Sequence, residues 1–333
     1  MKRVGIVGCG GIAGTHAWAI SQMEDVEIKA FVDVRLERAI DFSEKYTGGE
    51  AETYGSLEEM LDADEVDAVQ ICTPHYLHVP MAITALKKGV SVFCEKPPAI
   101  TMEQFEELRV ETERSKARLG FCFQNRYNQT MKKAKEILAE GGLGAVIGAR
   151  AFVTWKREAD YYQTDWKGQL STEGGGALIN QSIHTLDLML QFLGEPDEVA
   201  ATISNHHLQG IIEVEDTVEA WMRFKDGKRG CFYASTGYAA DAPVILELTC
   251  EQGSITMIDK TVTVRKQGCE PENLEIEEIQ GMGKSYWGNG HLTCIRDFYE
   301  KWDKGERFPN DLEGVETTMR TMMKIYDFRK GGN

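Results

Sequence analysis

The sequence predicts an α/β protein of two domains: a helix-covered parallel sheet over residues 1–123, then an α+β domain over 124–333 with a large, mainly antiparallel open sheet. Three observations carry that prediction. The chain has 333 residues, which at roughly 100–200 residues per domain is enough for two cores. Over residues 2–123 short apolar runs alternate with helical stretches, the mark of βαβ units and a parallel sheet. Beyond residue 124 long runs alternate with period two between short polar turns, as antiparallel strands with one wet face require.

In the first half, residues 2–7 read as an apolar strand, 12–23 as a helix, and 27–33 as an alternating strand. Ser56 with Glu59, and Thr101 with Gln104, are capping boxes that open helices by satisfying the first N–H groups. Residues 68–72 form a buried strand halted by Thr73-Pro74; a helix then runs through Lys88, with Gly89 just past its end. Strands at 90–94 and 118–123 complete the series. In the second half, 129–140 is an amphipathic helix closed by Gly141-Gly142. Strands at 217–224 and 230–235 flank an Asp226-Gly227 hairpin signal. Further strands fall at 244–250, 254–258 and 261–266, and helices at 177–192, 290–304 and 311–328. The last helix carries an apolar face of Val315, Met319, Met322, Met323 and Ile325, suited to core packing, with the first domain as one surface it could cover.

Composition excludes several classes. With 37 Lys+Arg against 53 Asp+Glu the net charge is −16 and the pI is near 5.0, which argues against nucleic acid or an anionic membrane as partner. No apolar run reaches the ~18 residues of a spanning helix. The start, Met1-Lys2-Arg3-Val4-Gly5, breaks into glycine too early for a secretory h-region. A cytoplasmic protein is expected. Eight cysteines are scattered with no C-x-x-C pair, so they read as reduced, small apolar residues. No metal site is expected: His75 and His78 lie close in sequence, but no Cys, Asp or Glu nearby completes a ligand set.

Gly8-Cys9-Gly10-Gly11-Ile12-Ala13 fits G-x-G-x-x-A between the first strand and the first helix. Gly8 allows the tight turn, Gly10 lets backbone approach a pyrophosphate, and Ala13 lets the helix pack closely on the sheet. Gly11 and Ile12 open a helix whose N–H groups and dipole favour phosphate. Asp33 follows at the end of the second strand, where a carboxylate hydrogen-bonds the adenosine ribose and repels a 2′-phosphate. The segment reads as a dinucleotide site that favours NAD; Arg35, two residues on, is the feature that would admit NADP. His16, in the same helix, reads as a packing residue.

Three further segments carry chemistry. Thr73 and Pro74 end a strand at the sheet edge where ligands lie, and with His78 are expected to touch the nicotinamide half or to form the site wall. Glu95-Lys96-Pro97-Pro98 sets a lysine at the carboxyl end of a buried strand. Burial and a cationic nicotinamide would lower its pKa and let it share protons with a reacting hydroxyl. Gly174-Gly175-Gly176 leads into a helix carrying Asn180 and His184, four apart and so on one face. The glycines let backbone approach a ligand closely, and Asp187 is placed to orient the imidazole.

In their order and spacing, Gly8 to Ala13, Thr73-Pro74 with His78, Glu95-Lys96-Pro97, and Gly174-Gly175-Gly176 through His184 to Asp187 resemble the glucose–fructose oxidoreductase/inositol dehydrogenase family, Gfo/Idh/MocA, over nearly the whole chain. The resemblance implies a Rossmann domain plus a second domain whose open sheet forms an oligomer interface, hence a homodimer or homotetramer. It implies NAD(P)-dependent hydride transfer between nicotinamide and a secondary hydroxyl or ketone of a sugar, sugar derivative or inositol. Lys96 would then bind the reacting hydroxyl, with Glu95 and Lys96 also near the cofactor, and His184 would accept the proton. Many members carry Asp four residues before that His; Asn180 stands here, which can orient a hydroxyl but holds no charge. A redox-neutral NAD-dependent glycoside hydrolase or lyase, and a non-catalytic nucleotide-binding regulator, are the alternatives.

The segment 155–168 is rich in aromatic and basic residues and leads into the glycine run. Trp155, Arg157, Tyr161, Tyr162 and Trp166, with Arg126 and Tyr127 after the last parallel strand, are candidate sugar contacts. Lys156, Arg157 and Lys167 suit a carboxylated or phosphorylated sugar.

Overall fold

A computed structural model describes residues 1–277 and 290–331. The chain divides into two units, one of Met1–Gln124 with 290–315 and the other of 125–277 with 316–331. In the first unit, β1 (Lys2–Val7), α1 (Gly11–Ser21), β2 (Val26–Val32), α2 (Leu36–Thr47), β3 (Glu52–Tyr54), α3 (Leu57–Asp62), β4 (Ala68–Ile71), α4 (His75–Lys87), β5 (Ser91–Cys94), α5 (Met102–Arg114) and β6 (Leu119–Phe121) alternate. The sheet runs β3-β2-β1-β4-β5-β6 with every pairing parallel. Its order reverses between β1 and β4, which is where a doubly wound sheet opens a crevice at its carboxyl edge. β4 and β5 are buried at every position, which is why both read as unbroken apolar runs rather than alternating ones.

The second unit contains α6 (Gln129–Ala139), β7 (Val146–Thr154), α7 (Leu170–Glu173), α8 (Ile183–Leu193), β8 (Glu198–Ser204), β9 (Thr217–Arg223), β10 (Arg229–Ser235), β11 (Ile245–Cys250), β12 (Gly253–Ile258), β13 (Thr261–Lys266) and β14 (Glu272–Glu275). They form a sheet of order β14-β13-β12-β11-β7-β10-β9-β8. All its pairs are antiparallel except β7 with β10. Strict alternation in β9, with Val218, Ala220 and Met222 buried and Glu219, Trp221 and Arg223 exposed, gives the sheet one covered and one open face. α8 packs against β7 on the covered face.

Two expectations need correction. Residues 124–333 do not all belong to the second unit: α9 (His291–Lys304) packs on α1 in the first. The reason is its apolar stripe of Cys294, Ile295, Phe298 and Tyr299. The Phe298 ring packs tilted at 5.2 Å from Phe93 of β5, and a Cβ on Gly120 of β6 would lie 2.7 Å from Phe308. α10 (Leu312–Tyr326) starts in the first unit but belongs to the second from Glu316 on. There Thr318 and Lys324 bond Asp187 and Glu195, so this part of the helix is anchored in its own unit. The helix expected at 177–192 is also not uniform: Ala177–Ser182 is a π-helical turn and α8 proper begins at Ile183.

Candidate active site

The nucleotide loop is built by the backbone of β1. Gly8 has φ +90°, and a Cβ there would stand 2.9 Å from the Cys72 carbonyl oxygen, so the turn needs glycine. Gly10 caps α1 without any side-chain hydrogen bond, and neither Gly10 nor Gly11 has an atom within 4 Å of where a Cβ would be. With no acid in its first turn, the helix end presents donors and a positive dipole to open space. Asp33, only 9% exposed, accepts the Cys9 N–H (2.9 Å) on one oxygen and the Arg35 N–H (2.9 Å) on the other. It therefore ties the glycine loop to the end of β2, while Arg35 is exposed at the start of α2. This donor set fits NAD: backbone N–H groups for the pyrophosphate, a fixed carboxylate for ribose hydroxyls. Ile12 is half-buried and Ala13 fully buried under the loop.

At the ends of β4 and β5 the loops are braced by His78. Its Nδ1 lies 2.8 Å from the Pro97 carbonyl and its Nε2 2.9 Å from the Thr73 carbonyl, with 1% of the residue exposed. His78 is thus a strut joining Thr73-Pro74 to Lys96-Pro97, part of the wall of the site, with both ring nitrogens taken up by backbone carbonyls. Burial lowers its pKa. Thr73 Oγ1 is buried and finds no hydrogen-bond partner among the described residues, as a hydroxyl awaiting a ligand would. Lys96 is half-buried directly beyond β5. Its N–H meets Glu95 Oε2 at 3.3 Å, and the Glu95 carboxylate is itself held by His16 Nε2 at 2.8 Å. His16, Glu95 and Cys122 bring donor atoms within 4.8 Å of one another, but the His16–Glu95 spacing is that of a hydrogen bond.

In the second unit the glycine run is gripped by residues far from it in sequence. One Glu215 oxygen accepts the N–H groups of Gly176 (2.9 Å) and Leu178 (3.0 Å) and the Tyr326 hydroxyl (2.9 Å); the other takes Arg329. A Cβ on Gly175 would meet Tyr326 Oη at 2.0 Å, and one on Gly176 the Glu215 carbonyl oxygen at 2.1 Å. These glycines admit close approach, but of the protein's own clamp rather than of a ligand. Ser182 Oγ donates to the Ala177 carbonyl five residues back (2.7 Å), which supports the π turn. Asn180 and His184 therefore straddle a π/α junction instead of sharing one α-helical face.

Asn180 is half-buried and donates from Nδ2 to Glu173, the residue before the glycines. Glu173 also accepts the Gly168 N–H. His184 is half-buried in the first turn of α8. Asp187, expected to orient it, instead receives a bidentate grip from Arg126 (Nε to Oδ2, 2.8 Å) and the Thr318 hydroxyl (2.7 Å). Arg126 is accordingly an anchor between the 3₁₀ turn Gln124–Tyr127 and α8, its side chain 8% exposed, rather than part of the open loop. Tyr127 is half-buried at the end of that turn.

The aromatic segment separates into two layers. Trp155 and Tyr162 are buried, Tyr162 in a core cluster with Leu208, Ile212 and Val214, so these two pack the loop rather than face a sugar. Tyr161, Arg157 and Trp166 remain half-buried. Tyr161 accepts from Gln181 Nε2 (2.7 Å) and carries Lys167 over its ring at 3.7 Å, while Arg157 donates to Gln181 Oε1 (3.1 Å). Gln181, next to Asn180, escaped notice because a lone Gln in an apolar helix carries no pattern. Glu215 escaped for a similar reason, since its partners lie far along the chain.

A Rossmann sheet with an anion-ready glycine loop, followed by a domain on a large antiparallel sheet, defines a dinucleotide-binding protein of two units. Models described as "Oxidoreductase family, NAD-binding Rossmann fold" and "GFO/IDH/MocA C-terminal domain" match residues 2–123 and 131–256. D-Glucoside 3-dehydrogenase of Escherichia coli K12 is 30% identical over 71% of this chain and 70% of its own length. Myo-inositol 2-dehydrogenase of Thermotoga maritima is 28% identical over 92% and 81%. The WlbA dehydrogenase of Bordetella pertussis, solved with NADH and UDP-GlcNAcA, superposes with TM-score 0.84 at 26% identity, covering 99% and 97% of the two chains. The chain belongs to the Gfo/Idh/MocA family. It is an NAD-dependent oxidoreductase.

Proposed function

We propose that this enzyme oxidises a secondary hydroxyl of a sugar, sugar derivative or inositol, with Lys96 and His184 as its catalytic residues. The observation that carries the reading is Lys96, fastened through its backbone at the carboxyl end of β5 in a unit whose glycine loop is open to a dinucleotide. The glycine loop and Asp33 would hold NAD, which would supply the acceptor for the hydride leaving the carbinol carbon. Lys96 holds the reacting hydroxyl and His184 accepts its proton, a role that suits an imidazole near neutral pH. Asn180 with Tyr161, Arg157 and Trp166 supplies the surface that orients the remaining hydroxyls. The relatives named for glucoside and inositol support a polyhydroxylated ring as substrate.

The enzyme works in the cytoplasm, a reading supported by eight cysteines without a disulfide. No described helix is long and apolar enough to cross a membrane. The first experiment is absorbance of the reduced nicotinamide with methyl glucosides, glucose 6-phosphate, hexuronates and myo-inositol, using NAD and then NADP. Lys96→Ala should lower the rate at least about 100-fold while NAD still quenches protein fluorescence. A fully active Lys96→Ala, or silence across the panel with NAD bound, would overturn the proposal.

A further inference from the structure

We propose that His16 is a positioning residue of the reaction: clasped between Gln70 and Glu95, it fixes the Glu95 carboxylate, which in turn fastens the Lys96 backbone. The inference rests on the reading of Lys96 as the group that binds the reacting hydroxyl. His16 and Gln70 are both completely buried, His16 in α1 and Gln70 in β4. Gln70 Nε2 donates to the Tyr299 hydroxyl at 3.1 Å, which turns its amide oxygen toward His16 Nδ1. An acceptor in that place requires a proton on Nδ1. The other nitrogen, Nε2, stands 2.8 Å from Glu95 Oε1, where a carboxylate requires a second proton. The ring is then an imidazolium paired with a buried carboxylate, and Glu95 Oε2 remains for the Lys96 N–H.

Among the described residues, Lys96, next in sequence, also favours the ionised Glu95, but less than His16 does. Cys72, Cys94 and Cys122 line the pair, and burial pushes all three thiols up, so they are neutral. His291 of α9, its ring 6.3 Å from His16, is pushed by burial down to about 4 and is neutral too. Burial disfavours a charged His16, and the hydrogen bond to the Glu95 carboxylate opposes it, raising the pKa above the ordinary value. Burial likewise opposes Glu95 ionisation, and the His16 hydrogen bond and charge, with His291 and Lys96 adding less, bring it below the usual carboxylate range. The side chain of Lys96 starts from this clamped backbone, and a displacement of about 1 Å in a catalytic group costs roughly 100-fold in rate.

Two measurements test this. In protein labelled with ¹⁵N-histidine, one of the seven histidines should keep both ring nitrogens protonated at pH 8, and H16Q should remove that signal; if no such signal exists, or if it survives in H16Q, the ion pair is wrong. A zinc or other metal ion that resists chelation and occupies His16 would also overturn it. The second is a kinetic cycle on the panel carbohydrate that the wild type oxidises. H16Q and E95Q should each lower kcat roughly 10- to 100-fold with NAD binding within twofold of wild type. The double variant, which restores a neutral pair, should be no slower than the worse single one. Multiplying losses, or an unchanged H16Q, would sink the positioning role. Lys96→Ala separates the two claims: if it is fully active the reading of Lys96 fails, whereas an inactive Lys96→Ala beside an unaffected H16Q removes only His16.

Discussion

Glu173 is a carboxyl group that folding withdraws from water, with 1% of the residue exposed. Burial raises its pKa to about 7, against the lowering pull of the Gly168 N–H and Asn180 and with a further rise from Glu215. In the unfolded chain the same group titrates in the ordinary carboxylate range near 4.3. Between those values the native state holds a proton that the unfolded state has lost. The stabilisation is therefore complete below about pH 4, declines as pH rises, and is gone above about pH 7. A shift of this size corresponds to roughly 3 kcal/mol. Glu173→Gln, which keeps the shape and cannot ionise, should flatten that slope. Urea unfolding at pH 5.5 and 8.5 checks it: relative to wild type the variant should gain stability at the higher pH. An equal difference at both pH values would show that Glu173 does not titrate in this window. Because Asn180 donates to this carboxyl, the amide's orientation is set from within the unit, so Asn180 is a fixed group and not a floating substitute for an acid.

The same economy of contacts governs the segment that carries Asn180 and His184. A helix beginning at a glycine run would expose several backbone N–H groups, and Glu215, placed just before β9, satisfies two of them from across the unit. Tyr326 adds a bridge, donating to Glu215 and accepting the Ile179 N–H at 3.1 Å. α10 and its C-terminal extension thereby hold the π turn in place. Glu215→Ala would strand those donors together with Arg329, and breaking a buried charge pair costs about 3–5 kcal/mol. Tyr326→Phe removes only hydroxyl bonds and should cost about 1–2 kcal/mol. Denaturant melts followed by tryptophan fluorescence measure both. A loss under 1 kcal/mol for Glu215→Ala would mean that the clamp is incidental to the helix.

At the scale of the molecule the open face of the second sheet has no cover among the described residues. Trp221 is 66% exposed in β9 and pairs with Cys231 of β10, which neighbours Arg150 of β7 and, through it, Glu247 of β11. Phe152 and Tyr233 lie alongside, their rings 6.3 Å apart. An aromatic stripe bordered by Arg150 and Glu247, ion-paired at 2.9 Å, has the composition of a subunit interface, in which Trp, Tyr and Arg concentrate. The expectation is a homodimer or homotetramer of 37.3 kDa chains joined through this face. Light scattering should give two or four times the chain mass, falling toward one with Trp221→Glu. A monomeric wild type would refute the interface.

The parallel sheet, the glycine loop and the acid Asp33 after β2 were legible in the chain itself, as were the positions of Lys96 beyond β5 and of His184 in a helix after the glycine run. Each depends on local order: an apolar run, a turn residue of required conformation, or a polar group at the end of a buried strand. Edge strands β3 and β14 are short and mostly polar, so periodicity does not mark them. Tertiary packing alone decided that α9 belongs with the first unit, that Trp155 and Tyr162 are core, and that Arg126 serves Asp187. It also made His78 a strut between two loops and brought Glu215 to the glycines, because a buried donor or charge takes whichever partner the fold brings within about 3 Å, however distant in sequence. Local chemistry named the groups; only the packed chain determined which of them face one another.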